Sequence, residues 1–330
     1  MYKFLIIGLT AFFFNIFASY GQQHVLKFNA NGEFKIVQFT DVHLKTGFSE
    51  VVFNLIKELV KLEKPDLVII TGDIIVQDTV DNLIQQLGAI FVETNTLWAT
   101  VFGNHDENRI SRKNLTALYR SLPYNLNSSI EGIKGESNYI LPVAGKENTP
   151  KALIYLFDSN TYNPLLGSAK GTYGWIEFSQ IEWYRKQSAG FAAKNNGIPL
   201  PALAFFHIPF EEYDNMWKND STSCVGSKHE VVCFPALNSG LFSSMAECGD
   251  IMGTFVGHDH LNDYIGCYND IALAYGRFSG TKNTYGNLTP GARVIVLKED
   301  KREFSTWIRE KGGNRVYPCQ YKDCLIKKLP

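Results

Sequence analysis

Five short groups of metal-ligand side chains, each placed just after a run of apolar, β-prone residues, constrain this chain more than any other feature. The groups are Asp41-Val42-His43, Gly72-Asp73, Gly103-Asn104-His105-Asp106, His207 and Gly257-His258-Asp259-His260. The runs before them are FKIVQFT, PDLVIITG, TLWATVFG, PALAFF and IMGTFVG. Five of the seven histidines are spent in this way. Side chains just past the ends of several strands converge on one rim of a sheet, where open α/β sheets place their chemistry. The pattern therefore predicts strands whose C-terminal ends share one metal-binding rim.

The residue types suit that task. Asp41 and His43 lie two apart, so in extended chain both point the same way and reach one ion. Asp73 has two carboxylate oxygens and is suited to bridging two ions. Asn104 offers a carbonyl oxygen, and His207, His258 and His260 offer imidazole nitrogens. Mixed nitrogen and oxygen ligands fit zinc, manganese or iron better than calcium. Taken singly, each has a plainer reading: Asp73 as a turn former, Asn104 after glycine as a turn signal, His207 as a core histidine. Their joint occurrence in this order favours a pair of metal ions.

The series D-x-H, G-D, G-N-H-D, H, G-H-x-H resembles the signature of the calcineurin-like metallophosphoesterases, over roughly residues 34 to 310. The stretches WATVFGNHDE, YGWIEFSQIEWYRKQS, ALAFFHIPFEEY, NSGLF, VGHDHLNDY and GARVIVL resemble the single-domain, purple-acid-phosphatase-like branch. The resemblance implies a four-layer α/β/β/α sandwich of two mixed sheets flanked by helices. It also implies one metal site from Asp41, His43, Asp73 and His260, and a second from Asp73, Asn104, His207 and His258. His105 takes the role of general acid, and a water activated between the ions serves as nucleophile toward a phosphoric ester. A phosphomonoesterase is the leading expectation. A phosphodiesterase with the same centre, or a non-catalytic metal-binding relative, stands as alternative. Asp106, Asp259, Asp263 and Arg109 are expected to support ligands or touch substrate. Tyr173, Trp175, Tyr213 and Trp217 are possible cleft walls, and His229 lies in a long loop within reach of the site.

The chain departs from the purple enzymes at two places. Val76 stands where they carry the iron-bound tyrosinate, and His43 stands where they have no histidine ligand. A neutral imidazole in place of a phenolate weakens the case for trivalent iron and favours divalent ions. Val76 also leaves His105 without the aspartate that orients it in protein-phosphatase relatives, with Asp78 and Asp106 as nearby substitutes.

Length and charge agree with an enzyme of small or protein-borne phosphoesters. The chain has 330 residues, 45% of them hydrophobic, and a net charge of −1, which offers no general attraction to nucleic acid or anionic membrane. That length fits a single domain. Residues 1–21, with Lys3 before the apolar run Phe4–Ala18, read as a cleaved signal peptide, leaving residues 22–330 as the domain. About 15 apolar residues is short for a membrane span. Export to a secreted or periplasmic location would allow disulfides among the six cysteines, all in the last third. Local pairs Cys224–Cys233, Cys248–Cys267 and Cys319–Cys324 are expected.

Periodicity orders the elements. FKIVQFT, PDLVIIT and TLWATVF read as strands separated by two amphipathic helices, a βαβαβ pattern with parallel strands. Ser49 is the expected N-cap of the first helix, and Pro65 closes it. SNYILPV and KALIYLFD form an expected antiparallel pair, followed by a helix around Ser179–Ser188. Residues 211–238 read as a long loop, and the last third as strand-rich.

Overall fold

The computed structural model describes residues 24–76, 80–107, 110–163, 165, 173–219, 221–281 and 287–323. The expected signal segment, together with Asp78, Asn108, Arg109 and Cys324, lies outside the described residues. The first strands in chain order are β1 (Leu26–Lys27), β2 (Glu33–Phe39), β3 (Leu67–Thr71), β4 (Trp98–Val101), β5 (Tyr139–Ala144), β6 (Pro150–Leu156) and β7 (Ala202–Phe205). They are followed by β8 (Ile251–Val256), β9 (Ile265–Tyr268), β10 (Ile271–Tyr275), β11 (Gly291–Lys298), β12 (Phe304–Glu310) and β13 (Arg315–Gln320). The helices are α1 (Ser49–Glu63), α2 (Val80–Glu93), α3 (Arg112–Arg120), α4 (Phe178–Lys194), α5 (Glu212–Lys218) and α6 (Leu241–Cys248).

The strands sort into two mixed sheets. One has the order β13-β12-β11-β2-β3-β4 and the other β1-β5-β6-β7-β8-β10-β9. β2, β3 and β4 run parallel, as do β6, β7 and β8, because a helix or long crossover joins each neighbouring pair. Alternation along these strands sends one set of side chains inward. Ile36, Leu67, Ile69 and Val101 from one sheet meet Ile154, Leu203, Phe205 and Phe255 from the other. The opposite faces carry the helices. Val37, Val68 and Ile70 pack on α1 and α2, while Leu153, Ala204 and Leu273 pack on α4 and α6. The result is the α/β/β/α sandwich that the resemblance implies, and it brings two sets of parallel strand ends to one rim.

The first helix shows how the local sequence builds a layer. Val52, Leu55, Ile56, Leu59 and Val60 recur at helical spacing and are all buried. Each such burial is worth roughly 1.5–3 kcal/mol. Lys64 ends the helix in the left-handed region at φ 48°, donating to Val60 O, and Pro65 follows. Ser49 is not the N-cap. It is the first helical residue, and its hydroxyl donates to Lys45 O at 2.8 Å.

Two further expectations are corrected. Residues 211–238 hold α5 and two bridges to the chain after the last ligand group (Val225 to Ile265, Lys228 to Asn262), so the segment is pinned rather than a free loop. Cys224, Cys233, Cys248 and Cys267 are free thiols, which removes the pairs Cys224–Cys233 and Cys248–Cys267. Backbone placement decides this: Cys233 hangs beside Asp259, whereas Cys224 lies against Gly266. Cys319 is disulfide-bonded, and its expected partner, Cys324, is outside the described residues.

Candidate metal centre

Strand ends position the ligand groups with a shared offset. Asp41, Asp73, His207 and His258 each stand two residues past the end of β2, β3, β7 and β8. Asn104 stands three past β4. At that offset the chain turns sharply. Asp41, His43, Asp73 and His258 have φ of 51°, 47°, 49° and 77°, a left-handed conformation that non-glycine residues adopt at a cost. Strain of this kind persists only where surrounding contacts hold it. Asp41 N donates to Gly72 O, and His43 N donates to Asp73 O at 3.0 Å, so the first two loops zip together.

The glycines in the motifs follow from crowding. A Cβ on Gly103 would stand 2.2 Å from Asp73 Oδ1, and one on Gly257 would stand 1.9 Å from Thr40 Oγ1. Any side chain at either place would drive two ligand loops apart.

Asp41, His43, Asp73 and His260 form one compact group, with ligand atoms within 4.8 Å of one another. His260 Nε2 is 3.1 Å from Asp41 Oδ1, and His43 Nε2 is 3.7 Å from Asp73 Oδ2. Asp41 Oδ2 accepts from Thr40 Oγ1 at 2.7 Å and from His258 N at 3.1 Å. Burial would raise the Asp41 carboxyl, but His260 and His207 outweigh it and hold it at about 2.

Asn104, His207 and His258 are the remaining expected ligands, and His207 meets the same Asp73 oxygen as His43. His207 Nδ1 bonds to Thr71 O at 2.7 Å, which leaves Nε2 facing inward, 3.3 Å from Asp73 Oδ2. The His207 and His258 rings lie edge to face at 5.1 Å. Asn104 Oδ1, His207 Nε2 and His258 Nε2 are all buried without a hydrogen-bond partner. Two of these, Asn104 Oδ1 and His258 Nε2, are acceptors that a cation would satisfy, since an unpaired buried polar atom costs about 1–3 kcal/mol. His207 Nε2 instead faces the Asp73 carboxylate, which outweighs burial and raises this imidazole to about 10. Burial and the neighbouring His207 charge push His258 down to about 3, so its ring is neutral with a lone pair free. On donor chemistry and orphaned atoms, the residues fit two ions.

His105 sits at the edge of this ensemble. Its amide donates to Asp73 Oδ1 at 2.9 Å, and its Nε2 lies 4.0 Å from Asp73 Oδ2 with the ring partly open to solvent. Burial lowers its pKa below the ordinary 6.5, and Asp73 only partly offsets that.

The residues expected to support the ligands do different work. Asp106 accepts from Ile74 N at 2.7 Å, Ile75 N at 3.1 Å and Gly103 N at 2.8 Å, so it pins two ligand loops together through backbone amides. Burial and then the Asp73 charge raise it to about 6. Asp259 accepts from Tyr275 Oη at 2.5 Å and from Cys233 N, and Asp263 accepts from Ser227 N at 2.6 Å and pairs with Arg277. Both hold the loop across from the last motif. Tyr173 does reach the centre, its ring edge-to-face with His258 at 4.4 Å. Tyr213 is core, bonded to Thr254, and Trp217 packs at a tilt against Tyr264. His229 is exposed, and His24 stacks on Tyr124. Arg109 lies outside the described residues.

Sequence reasoning passed over Thr40 and the polar run Asp158-Ser159-Asn160. The signal was present: FDSN also follows a buried strand, KALIYL, just as the ligand groups follow theirs.

The calcineurin-like phosphoesterase pattern matches residues 34–235. The chain belongs to that family. Among its relatives, the Arabidopsis thaliana protein named probable inactive purple acid phosphatase 29 is 28% identical, over 91% of this chain and 86% of its own length. Phosphatase DCR2 of Saccharomyces cerevisiae is 29% identical over 86% of this chain, which spans 54% of that longer protein. A dimetal phosphatase from Danio rerio shares the fold at TM-score 0.60 and 13% identity, over 87% of this chain and 98% of that one.

Proposed function

We propose that this calcineurin-like phosphoesterase is a dinuclear metal-dependent phosphomonoesterase. The observation that carries the reading is the convergence of Asp41, His43, Asp73 and His260 within 4.8 Å, with His207 against Asp73 at 3.3 Å and buried acceptors of Asn104 and His258 left unpaired. Asp41, His43, Asp73 and His260 would hold one ion, and Asp73, Asn104, His207 and His258 the other. Zinc or manganese suits these donors, and such a pair, when bound, supplies an activated water and neutralises phosphoryl oxygens.

The chain's own residues supply the rest. Asp73 stands between the groups, 3.7 Å from His43 and 3.3 Å from His207, which suits one carboxylate to both. His105 faces the opening and is placed to give a proton from Nε2 to the departing oxygen, help typically worth about 10²–10⁴ in rate. Beside its loop opens a cleft of about 520 Å³, lined in part by Glu107, Lys113, Lys134, Tyr162 and Trp175. That is ample room for the organic group of a phosphate ester, small or protein-borne. We read residues 1–21 as a cleaved signal peptide, on the apolar run after Lys3, which would put the site of action outside the cytoplasm.

A second reading, a non-catalytic metal-binding protein, is favoured by the word "inactive" in the names of the plant relatives. Hydrolysis of p-nitrophenyl phosphate and bis-p-nitrophenyl phosphate, with metal analysis of the same sample, separates the cases. Faster monoester turnover with two ions per chain supports the proposal. Faster diester turnover replaces it with a phosphodiesterase, and two ions without turnover leaves the binding protein.

A further inference from the structure

The geometry points to Asp158-Ser159-Asn160 as the positioning segment for the second ion, although none of the three is a ligand. The inference rests on the two-ion reading above. All three residues are buried and begin two residues past the end of β6, in the sheet opposite Asp41 and Asp73.

Two of the three hold a ligand loop by its backbone, directly or through Arg112, and the third holds the segment that bears Tyr173. Asp158 pairs with Arg112, whose Nη2 donates to Gly103 O at 2.8 Å, immediately before Asn104. Ser159 Oγ accepts from Ile208 N at 3.1 Å, immediately after His207. Asn160 Nδ2 donates to Trp175 O at 2.6 Å, two residues from the Tyr173 ring that packs on His258. Three consecutive residues therefore reach the surroundings of Asn104, His207 and His258, which would join Asp73 at the second ion and of which Asn104 and His258 have orphaned acceptors.

The segment is itself held from behind. Asp158 accepts from Glu136 N at 2.9 Å, and its amide donates to Asn138 Oδ1 at 3.0 Å. Gln180 Nε2 donates to Asp158 O at 2.7 Å. Asn160 adopts φ 63°, a strained turn that aims its amide at the Trp175 carbonyl. The Arg112 guanidinium also lies over the Phe102 ring at 5.4 Å, so it is fixed by a carboxylate, a carbonyl and an aromatic face together. A brace built this way sets relative ligand positions between the two sheets. The four residues of the first group, by contrast, already pair among themselves.

Partners that orient ligands typically alter metal affinity by about 10–100-fold when removed. The test is zinc titration of the metal-free full chain, with bound metal counted, for wild type, Asp158→Asn, Ser159→Ala and Asn160→Ala. Asp250→Asn, a buried change elsewhere in the same sheet, serves as stability control. The expected result is two ions in wild type and an unchanged first affinity throughout. The second affinity should fall about ten-fold or more in Asp158→Asn, with smaller falls in the other two. If Asp158→Asn does not fold, the two alanine variants carry the same readout, since both leave the Asp158–Arg112 pair in place. Equal weakening of both affinities, or none, in variants that melt like Asp250→Asn would overturn the inference alone. A wild type that takes up only one ion would overturn the two-ion reading and this inference with it.

Discussion

The two halves of the metal centre are built on opposite principles. The half around Asp41, His43 and His260 is electrostatically complete without an ion: carboxylates face imidazoles at 3.1–3.9 Å, and the second Asp41 oxygen takes two hydrogen bonds. The half around Asn104, His207 and His258 holds two buried acceptors with nothing to accept from, Asn104 Oδ1 and His258 Nε2, and pairs only through His207 to Asp73. Its geometry is kept by bonds to the backbone around the ligands. The first half therefore pairs within itself, and the second is held open by its scaffold. An ion entering the first must displace existing pairing, whereas an ion entering the second relieves atoms already stripped of water.

The strongest way to break this comparison is at the residue the halves share. Asp73→Asn should cost both ions and all measurable turnover, because the carboxylate lies within reach of His43 and His207 alike. Retention of two ions per purified chain would show that the halves do not depend on it. Next in size, His105→Ala should keep its metal yet lose about 10²–10⁴ in rate on esters with poor leaving groups, and much less on good ones. In wild type, the rate on poor leaving groups should fall as pH rises through a value below 6.5, since burial lowers this imidazole. Equal losses for both ester types would remove His105 as the acid.

Metal removal sharpens the contrast between the halves. Saturating an ion at one hundred times its dissociation constant stabilises a fold by about 2.7 kcal/mol, so chelation should lower the melting temperature measurably. Amide exchange in the chelated protein should quicken more around Asn104 and Ile208 than around Asp41 and His43. Quickening confined to the first half would reverse the assignment. Colour is the next check, and no band is expected. Val76 is no ligand, so protein purified without added metal should lack a tyrosinate-to-iron absorption; a band would implicate Tyr173, which packs on His258.

The smallest effect is expected at Asp250, away from the ligand loops. Burial pushes this carboxyl above the ordinary aspartate range, against a hydrogen bond from Tyr184. A raised acid contributes stability below its unfolded value and loses it as pH climbs through the folded one. Asp250→Asn does not titrate, so its stability relative to wild type should rise between pH 4 and pH 7, with metal content unchanged. A flat difference in chemical-denaturation midpoints over that range would refute the shift.

Much of the fold was legible because it is local. The buried strands β2, β3 and β4 and the helices between them announce themselves by periodicity, and the ligand groups stand at a repeated distance from strand ends. Less local features were missed. α3 begins at Arg112, whose charge suggests surface, yet its guanidinium is buried against Asp158 and Gly103 O. Cysteine spacing suggested pairs that the backbone keeps apart. Asp259 and Asp263, placed beside histidines in sequence, turn their carboxylates to Tyr275 and Arg277 instead.

By itself the sequence determined which side chains could bind metal, that they sit after strands, and the family that implies. Those are matters of residue type and of short-range pattern. Only the tertiary structure decided that Asp158 and Ser159 hold the Asn104 and His207 loops while Asn160 holds the Tyr173 segment, and that Asn104 Oδ1 and His258 Nε2 are left orphaned. Hydrogen bonds such as His258 N to Asp41 and Gln38 Nε2 to Val256 O join distant parts of the chain across the two sheets, and Ile208 N to Ser159 Oγ ties neighbouring strand ends of one sheet. Their energies depend on separations of about 3 Å that no spacing in sequence encodes.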